Sequence, residues 1–228
     1  MGRIGHGYGS EWHLLRYLGR HRNLLDRTIR EATGCGKLEW LDFGFEPNNP
    51  WHDAEWKGLD FLKEDSVLQG SWREYWPHGA GIHNWDAVAK CRTKEGKTEW
   101  ILVEAKANLE ELRSECKAGS KGSIKKNRAA FDATKAALGV PAEADWMNPY
   151  YQYCNRVAAL HFLISHNVAS RLLFIYFCGD KGDLRRTCPP DRKGWEESIK
   201  ELNRHIGIPG EHYLKDKIHT LFLQVARG

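Results

Sequence analysis

The chain has 228 residues, 41% hydrophobic and 28% charged, with 34 Lys+Arg against 30 Asp+Glu. This is a soluble globular composition, long enough for a sizeable core, and the net charge of +4 does not by itself announce a polyanion binder. The longest apolar run, Leu172–Cys178, is far shorter than the roughly 18 residues of a membrane helix, and Met1–Ser10 lacks the apolar stretch of a secretory signal.

Leu14, Leu18, Leu25 and Ile29 follow Ser10 at helical spacing until Gly34, which predicts a first helix over Glu11–Ala32 with Ser10 as its cap. Lys37–Phe45 reads as a strand. Glu46–Gly81 reads as an irregular acidic insert rich in Pro, Gly and Trp. Ile82–Arg92 and Thr98–Ala107 read as strands of a hairpin joined by the polar, Gly-containing Thr93–Lys97. Leu109–Leu138 is helical with a break near Gly119–Gly122. Asn148-Pro149 resembles a cap followed by Pro at the first helical position, opening a helix to His166. Arg171–Cys178 is a buried strand, Trp195, Ile199, Leu202 and Ile206 mark a helix closed by Gly207, and Ile218–Val225 is a last strand. The order predicts an α/β fold around a mixed β-sheet flanked by helices. No repeat or linker divides the chain, so 1–228 reads as one domain.

Six cysteines lie scattered without a CxxC pair, which points to reduced structural thiols in a cytoplasmic protein rather than to zinc or disulfides. The charge is segregated. Gly2–Arg30 carries six Arg against two acids, Glu39–Asp65 eight acids against two lysines, and Arg113–Lys135 seven basic residues against two acids. Such segregation suits a surface that faces a polyanion. No P-loop, Rossmann fingerprint or GxSxG elbow occurs. His161 and His166, five apart on a helix, point to different faces, and His83 is an outer neighbour of Asp86 at most.

Alternation in the second hairpin strand places Trp100, Leu102, Glu104 and Lys106 on one face and Ile101, Val103 and Ala105 on the other. Five acid-x-Lys triplets occur in the chain, and only Glu104/Lys106 sits in a strand of buried character. A charge there costs several kcal/mol unless it is paired or metal-bound. The hairpin brings Asp86 across from Glu104. Phosphodiester hydrolysis needs a Lewis acid, an activated water and stabilised charge on the leaving oxygen. Asp86 and Glu104, with the Ala105 carbonyl, suit Mg²⁺, with Mn²⁺ as a substitute, and Lys106 suits orientation of the attacking water. A buried Asp–Lys–Glu salt-bridge cluster is the competing reading.

Asp86, a short hairpin and Glu104-Ala105-Lys106 together resemble the signature of the PD-(D/E)XK nuclease superfamily. The resemblance implies a restriction endonuclease-like core over about residues 10–178, an insert at 46–81 and a C-terminal helix-strand extension at 179–228. It implies a metal-dependent deoxyribonuclease, with DNA as partner and a homodimer among its assemblies. Trp85 stands where the superfamily usually has Pro, and the 36-residue insert is a larger departure. The resemblance also implies a Glu from the first helix, for which Glu11 fits because it shares a face with Leu15 and Leu18. A Gln on the helix after the motif is implied as well, for which Gln152 fits. Lys121, Lys125, Arg128 and Lys135 form a helical stripe suited to a phosphate backbone. Two alternatives stand beside catalysis. One is a silent nuclease-fold domain that binds nucleic acid or a partner protein; the other is an interaction domain using the Trp-rich insert as its contact surface.

Overall fold

A computed structural model describes residues 8–41, 44–46, 49–78, 82–93, 96–182 and 184–225. The segment expected to form one N-terminal helix is two, α1 (Ser10–Arg20) and α2 (Arg22–Thr33), with a break at His21. The Arg22 guanidinium takes the Leu18 carbonyl at 2.7 Å, so a side chain serves an oxygen that the break releases. Ser10 is the first helical residue rather than the cap, which falls on Gly9. Gly34, at φ 68°, closes α2 in the left-handed conformation that glycine adopts without strain.

β1 is short, Leu38–Trp40. The described residues of the expected irregular insert instead carry regular structure. β2 (Gly44–Glu46) pairs antiparallel with β3 (Asn49–Ala54), and β4 (Trp56–Lys57) pairs antiparallel with β5 (Asn84–Trp85). α3 (Ser66–Tyr75) is capped by the Asp65 carboxylate, which accepts from the Leu68 N–H at 2.9 Å. Trp72 and Trp76 stack at 5.7 Å and are buried against Phe162 and Phe131. The α3 part of the insert thereby belongs to the core, and these two rings are not the contact surface the sequence suggested. The side chain of Trp51 lies outside the described residues.

The hairpin strands are β6 (Ala87–Arg92) and β7 (Thr98–Lys106), paired antiparallel with Ala87 opposite Val103. α4 (Lys121–Leu138) begins at the cap Ser120, whose hydroxyl accepts from the Ser123 N–H at 3.0 Å. α5 (Tyr151–Ser165) starts later than the Asn148-Pro149 signal predicts. The Pro149 carbonyl is taken by the Ser114 N–H, and Ser114 in turn accepts the N–H groups of Tyr151 and Gln152. A residue distant in sequence therefore satisfies the first turn of α5. β8 (Ser170–Cys178), α6 (Arg192–Ile206) and β9 (Ile218–Gln224) complete the order.

The five-stranded sheet runs β1-β6-β7-β8-β9. Its first three strands are antiparallel, and β8 and β9 continue parallel to β7. Two apolar cores cover the two faces. Leu102 packs with Trp72, Phe162 and Leu202 on the side of α3 to α6, whereas Ile101, Val103 and Ala105 pack with Leu14, Leu25 and Ile29 of α1 and α2. The alternation read from the sequence of β7 thus holds, and it turns Glu104 and Lys106 toward α5. Among the described residues no helix is long and apolar enough to cross a membrane.

Candidate functional site

Asp86 occupies the bend between β5 and β6, where it leaves the ladder but keeps one backbone bond, its N–H to the Val103 carbonyl at 3.1 Å. Its Oδ2 accepts from the Ala105 N–H at 2.6 Å, which ties the carboxylate to the end of β7. Glu104, 2% exposed, lies one residue earlier on that strand, and Lys106 follows on the same face. A cleft of about 930 Å³ opens here, lined by Asp86, Glu104, Ala105, Lys106, Gln152 and Glu11.

The two oxygens of Glu104 are divided between two cations. Oε1 accepts from Lys106 Nζ at 2.5 Å, and Lys106 also donates to Gln152 Oε1 at 3.0 Å. Oε2 accepts from Arg156 Nε at 2.7 Å and Nη2 at 2.6 Å. Arg156 is held further by Asn155 Oδ1 and the Asn84 carbonyl, both at 2.6 Å, and its guanidinium lies 5.1 Å from the Trp85 ring centre.

The local field separates the two acids. Burial, and then the neighbouring Glu104, push the Asp86 carboxyl well above the usual carboxylate range, although Lys106, Arg156 and the Ala105 N–H oppose them. Burial also pushes Glu104 upward, but Arg156 and Lys106 outweigh it and hold the group below its ordinary value. Lys106 stays above the usual lysine value because Glu104 and Asp86 outweigh its own burial. The site therefore sets two neighbouring acids apart, Asp86 shifted upward and Glu104 downward, beside an ammonium.

The structure brings together Asp86, Glu104, Ala105, Lys106 and Gln152 as the sequence anticipates. Glu11 also reaches the cleft, but not for the expected reason. Leu15 is 44% exposed, and the inward residues of α1 are His13, Leu14, Tyr17 and Leu18. Glu11 is itself exposed and borders the cleft from the start of the helix.

The basic stripe on α4 does not line the cleft, and one of its four residues is buried. Ser120, Ser123 and Asn127 line the cleft. At about 3.6 residues per turn, Lys121, Lys125 and Arg128 fall on the far side of the helix. Arg128 lines a separate hollow with Glu115, Asp132, Glu143 and Asp145. Lys135 is buried, and its ammonium is engaged by the carbonyl of Ala142 at 2.8 Å and by Asp132 at 3.0 Å. The basic residues that do line the cleft rim are Arg113, Lys117 and Arg186.

Arg156 is the site residue that sequence reasoning passed over. It is the one charged residue within the apolar stretch of α5, and the argument that singled out Glu104 applies to it equally. His83 also lines the cleft, buried edge-on against Trp72, Trp76 and Trp85. Burial, aided by Arg156, holds its pKa well below the usual value, so the ring is neutral.

Among the described residues no three His, Cys, Asp or Glu side chains are grouped to hold a metal ion. Mg²⁺ does not require three, because it binds through one or two carboxylates and keeps several waters. Asp86 Oδ1 receives no hydrogen bond from the described residues, and Asp86 lines the cleft together with Glu104. This two-carboxylate donor set fits a hydrated divalent ion, with Oε1 of Glu104 reached by displacing Lys106. Comparisons with family models, with curated proteins and with solved structures each gave no match to this chain.

Proposed function

We propose that this cleft hydrolyses phosphodiester bonds of DNA. The observation that carries the reading is the convergence of Asp86, Glu104 and Lys106 at the cleft end of β7. Their order along the chain is that of the PD-(D/E)XK signature. The run of helices, three antiparallel strands, helices and a parallel fourth strand agrees with a restriction endonuclease-like core.

Asp86 and Glu104, with the Ala105 carbonyl, would hold Mg²⁺ or Mn²⁺. The ion would supply a Lewis acid for the phosphate and lower the pKa of a bound water. Lys106 remains an ammonium at neutral pH, so it donates rather than accepts a proton. Its Nζ orients the attacking water and offsets the charge that develops on the phosphate oxygens. Gln152 fixes the direction of that ammonium through the 3.0 Å bond. Glu11 adds an exposed carboxylate to the lining of the cleft.

A second reading, a silent domain that binds nucleic acid or a partner protein, is favoured by one observation. Glu104 has both oxygens committed to cations and is electrostatically complete as it stands. Incubation of plasmid, linear and single-stranded DNA with the protein and Mg²⁺ separates the two. Cleavage that Lys106→Ala abolishes supports catalysis, whereas binding without cleavage supports the silent domain.

A further inference from the structure

The two cations on Glu104 are held in different ways. Arg156 has a side chain 5% exposed and is fixed by Asn155, by the Asn84 carbonyl and by the Trp85 ring, in addition to Glu104. Its planar fork closes two N–H groups on a single oxygen, Oε2. Lys106 has a side chain 12% exposed, sits on a flexible four-carbon stem and has a second acceptor in Gln152. Its partner oxygen is Oε1, and no other donor among the described residues bonds to it. Breaking the Arg156 contact would strand a buried guanidinium that two further hydrogen bonds and the Trp85 ring hold in place. Moving Lys106 off Oε1 leaves it bonded to Gln152.

We infer that Lys106 is an exchangeable counter-ion that surrenders Oε1 of Glu104 to an incoming divalent cation, whereas Arg156 is a permanent support that positions the carboxylate for it. The inference rests on the reading that Asp86 and Glu104 bind such an ion. It assigns Arg156 as a positioning residue, acting through Glu104 and not on the substrate. It also runs against simple charge counting. By Coulomb's law, removing either cation should strengthen binding of another cation. Here the two removals have opposite signs.

The test is calorimetric titration of the wild type and three variants with Mn²⁺ alone, without DNA. Lys106→Met is expected to bind Mn²⁺ severalfold more tightly, because its competitor is gone. Arg156→Met is expected to bind about tenfold more weakly, the loss typical of a residue that orients a metal ligand. Arg156→Lys keeps the charge and is likewise expected to weaken binding, since a lysine lacks the fork; it decides the matter if Arg156→Met does not fold. Tighter or unchanged binding by the Arg156 variants, or weaker binding by Lys106→Met, would overturn the inference while leaving the metal site standing. Absence of Mn²⁺ binding by the wild type would overturn both.

Discussion

Arg156 closes its Nε and Nη2 on one oxygen of Glu104, at 2.7 and 2.6 Å, and leaves the other oxygen to Lys106. This relationship joins α5 to the central strand β7 and keeps a fully buried acid ionised. It also explains why Asp86, a neighbour of the same cations, is the acid whose pKa is pushed upward. Glu104 takes the direct hydrogen bonds of both cations, whereas for Asp86 burial and the repulsion of Glu104 outweigh the more distant help of Lys106 and Arg156 and the Ala105 N–H.

Asp86→Asn is therefore expected to stabilise the fold at neutral and alkaline pH. The folded pKa of Asp86 lies above its unfolded value, so the native state holds the extra proton. Stability falls as pH rises from about 4 through the folded value. Asparagine keeps an acceptor for the Ala105 N–H without the buried charge. Thermal unfolding at pH 8 should show a gain of about 0.5–2 kcal/mol that narrows toward pH 4. A lower midpoint than the wild type at pH 8 contradicts this.

Glu104→Gln is expected to do the opposite. The variant leaves Arg156 and Lys106 buried without their carboxylate, a loss of about 3–5 kcal/mol for a broken buried pair. The folded pKa of Glu104 lies below its unfolded value, so its contribution is present above about pH 4 and lost as pH falls through the folded value. Denaturant unfolding at pH 7 and pH 3 should show the gap between wild type and Glu104→Gln shrinking in acid.

Trp76→Ala tests whether the insert belongs to the core. Trp76 is fully buried, stacked on Trp72 and edge-on to Phe131. Its truncation should cost about 3–5 kcal/mol in urea unfolding. A loss within experimental error would restore the insert as a separable contact surface.

DNA affinity should depend on the cleft rim and not on the far side of α4. Each phosphate contact contributes about 0.9 to the slope of log affinity against log salt. Lys117→Ala, at an exposed position that lines the cleft, should lower that slope by about one contact. Lys121→Ala and Lys125→Ala should leave it unchanged. Lys135→Met should leave it unchanged too, but cost about 1–3 kcal/mol of stability through its lost bonds to Ala142 and Asp132.

Much of the sheet was legible because β7 and β8 carry strong local signals, alternation in one and an unbroken apolar run in the other. The hairpin register followed from them, and with it the meeting of Asp86 and Glu104. What escaped was set by distant contacts. The start of α5 is fixed by Ser114, thirty-odd residues upstream, which no local cap signal reveals. α3 was hidden because Trp72 and the capping Trp76 lie in a segment whose scattered acids, Pro and Gly gave it an irregular character. The stripe on α4 has the spacing of a binding face, yet which face meets the cleft depends on how α4 packs. Arg156 was visible as a lone charge in an apolar helix, but its partner could be named only once α5 lay across β7.

The most direct test of catalysis by this cleft is the rate of DNA cleavage in Mg²⁺ by the wild type and Asp86→Asn, purified in parallel. The account predicts a folded, more stable Asp86→Asn that cleaves at least about a hundredfold more slowly, as expected when a group that orders a catalytic ion is lost. Equal cleavage by the two proteins, or none by the wild type in either Mg²⁺ or Mn²⁺, would contradict it.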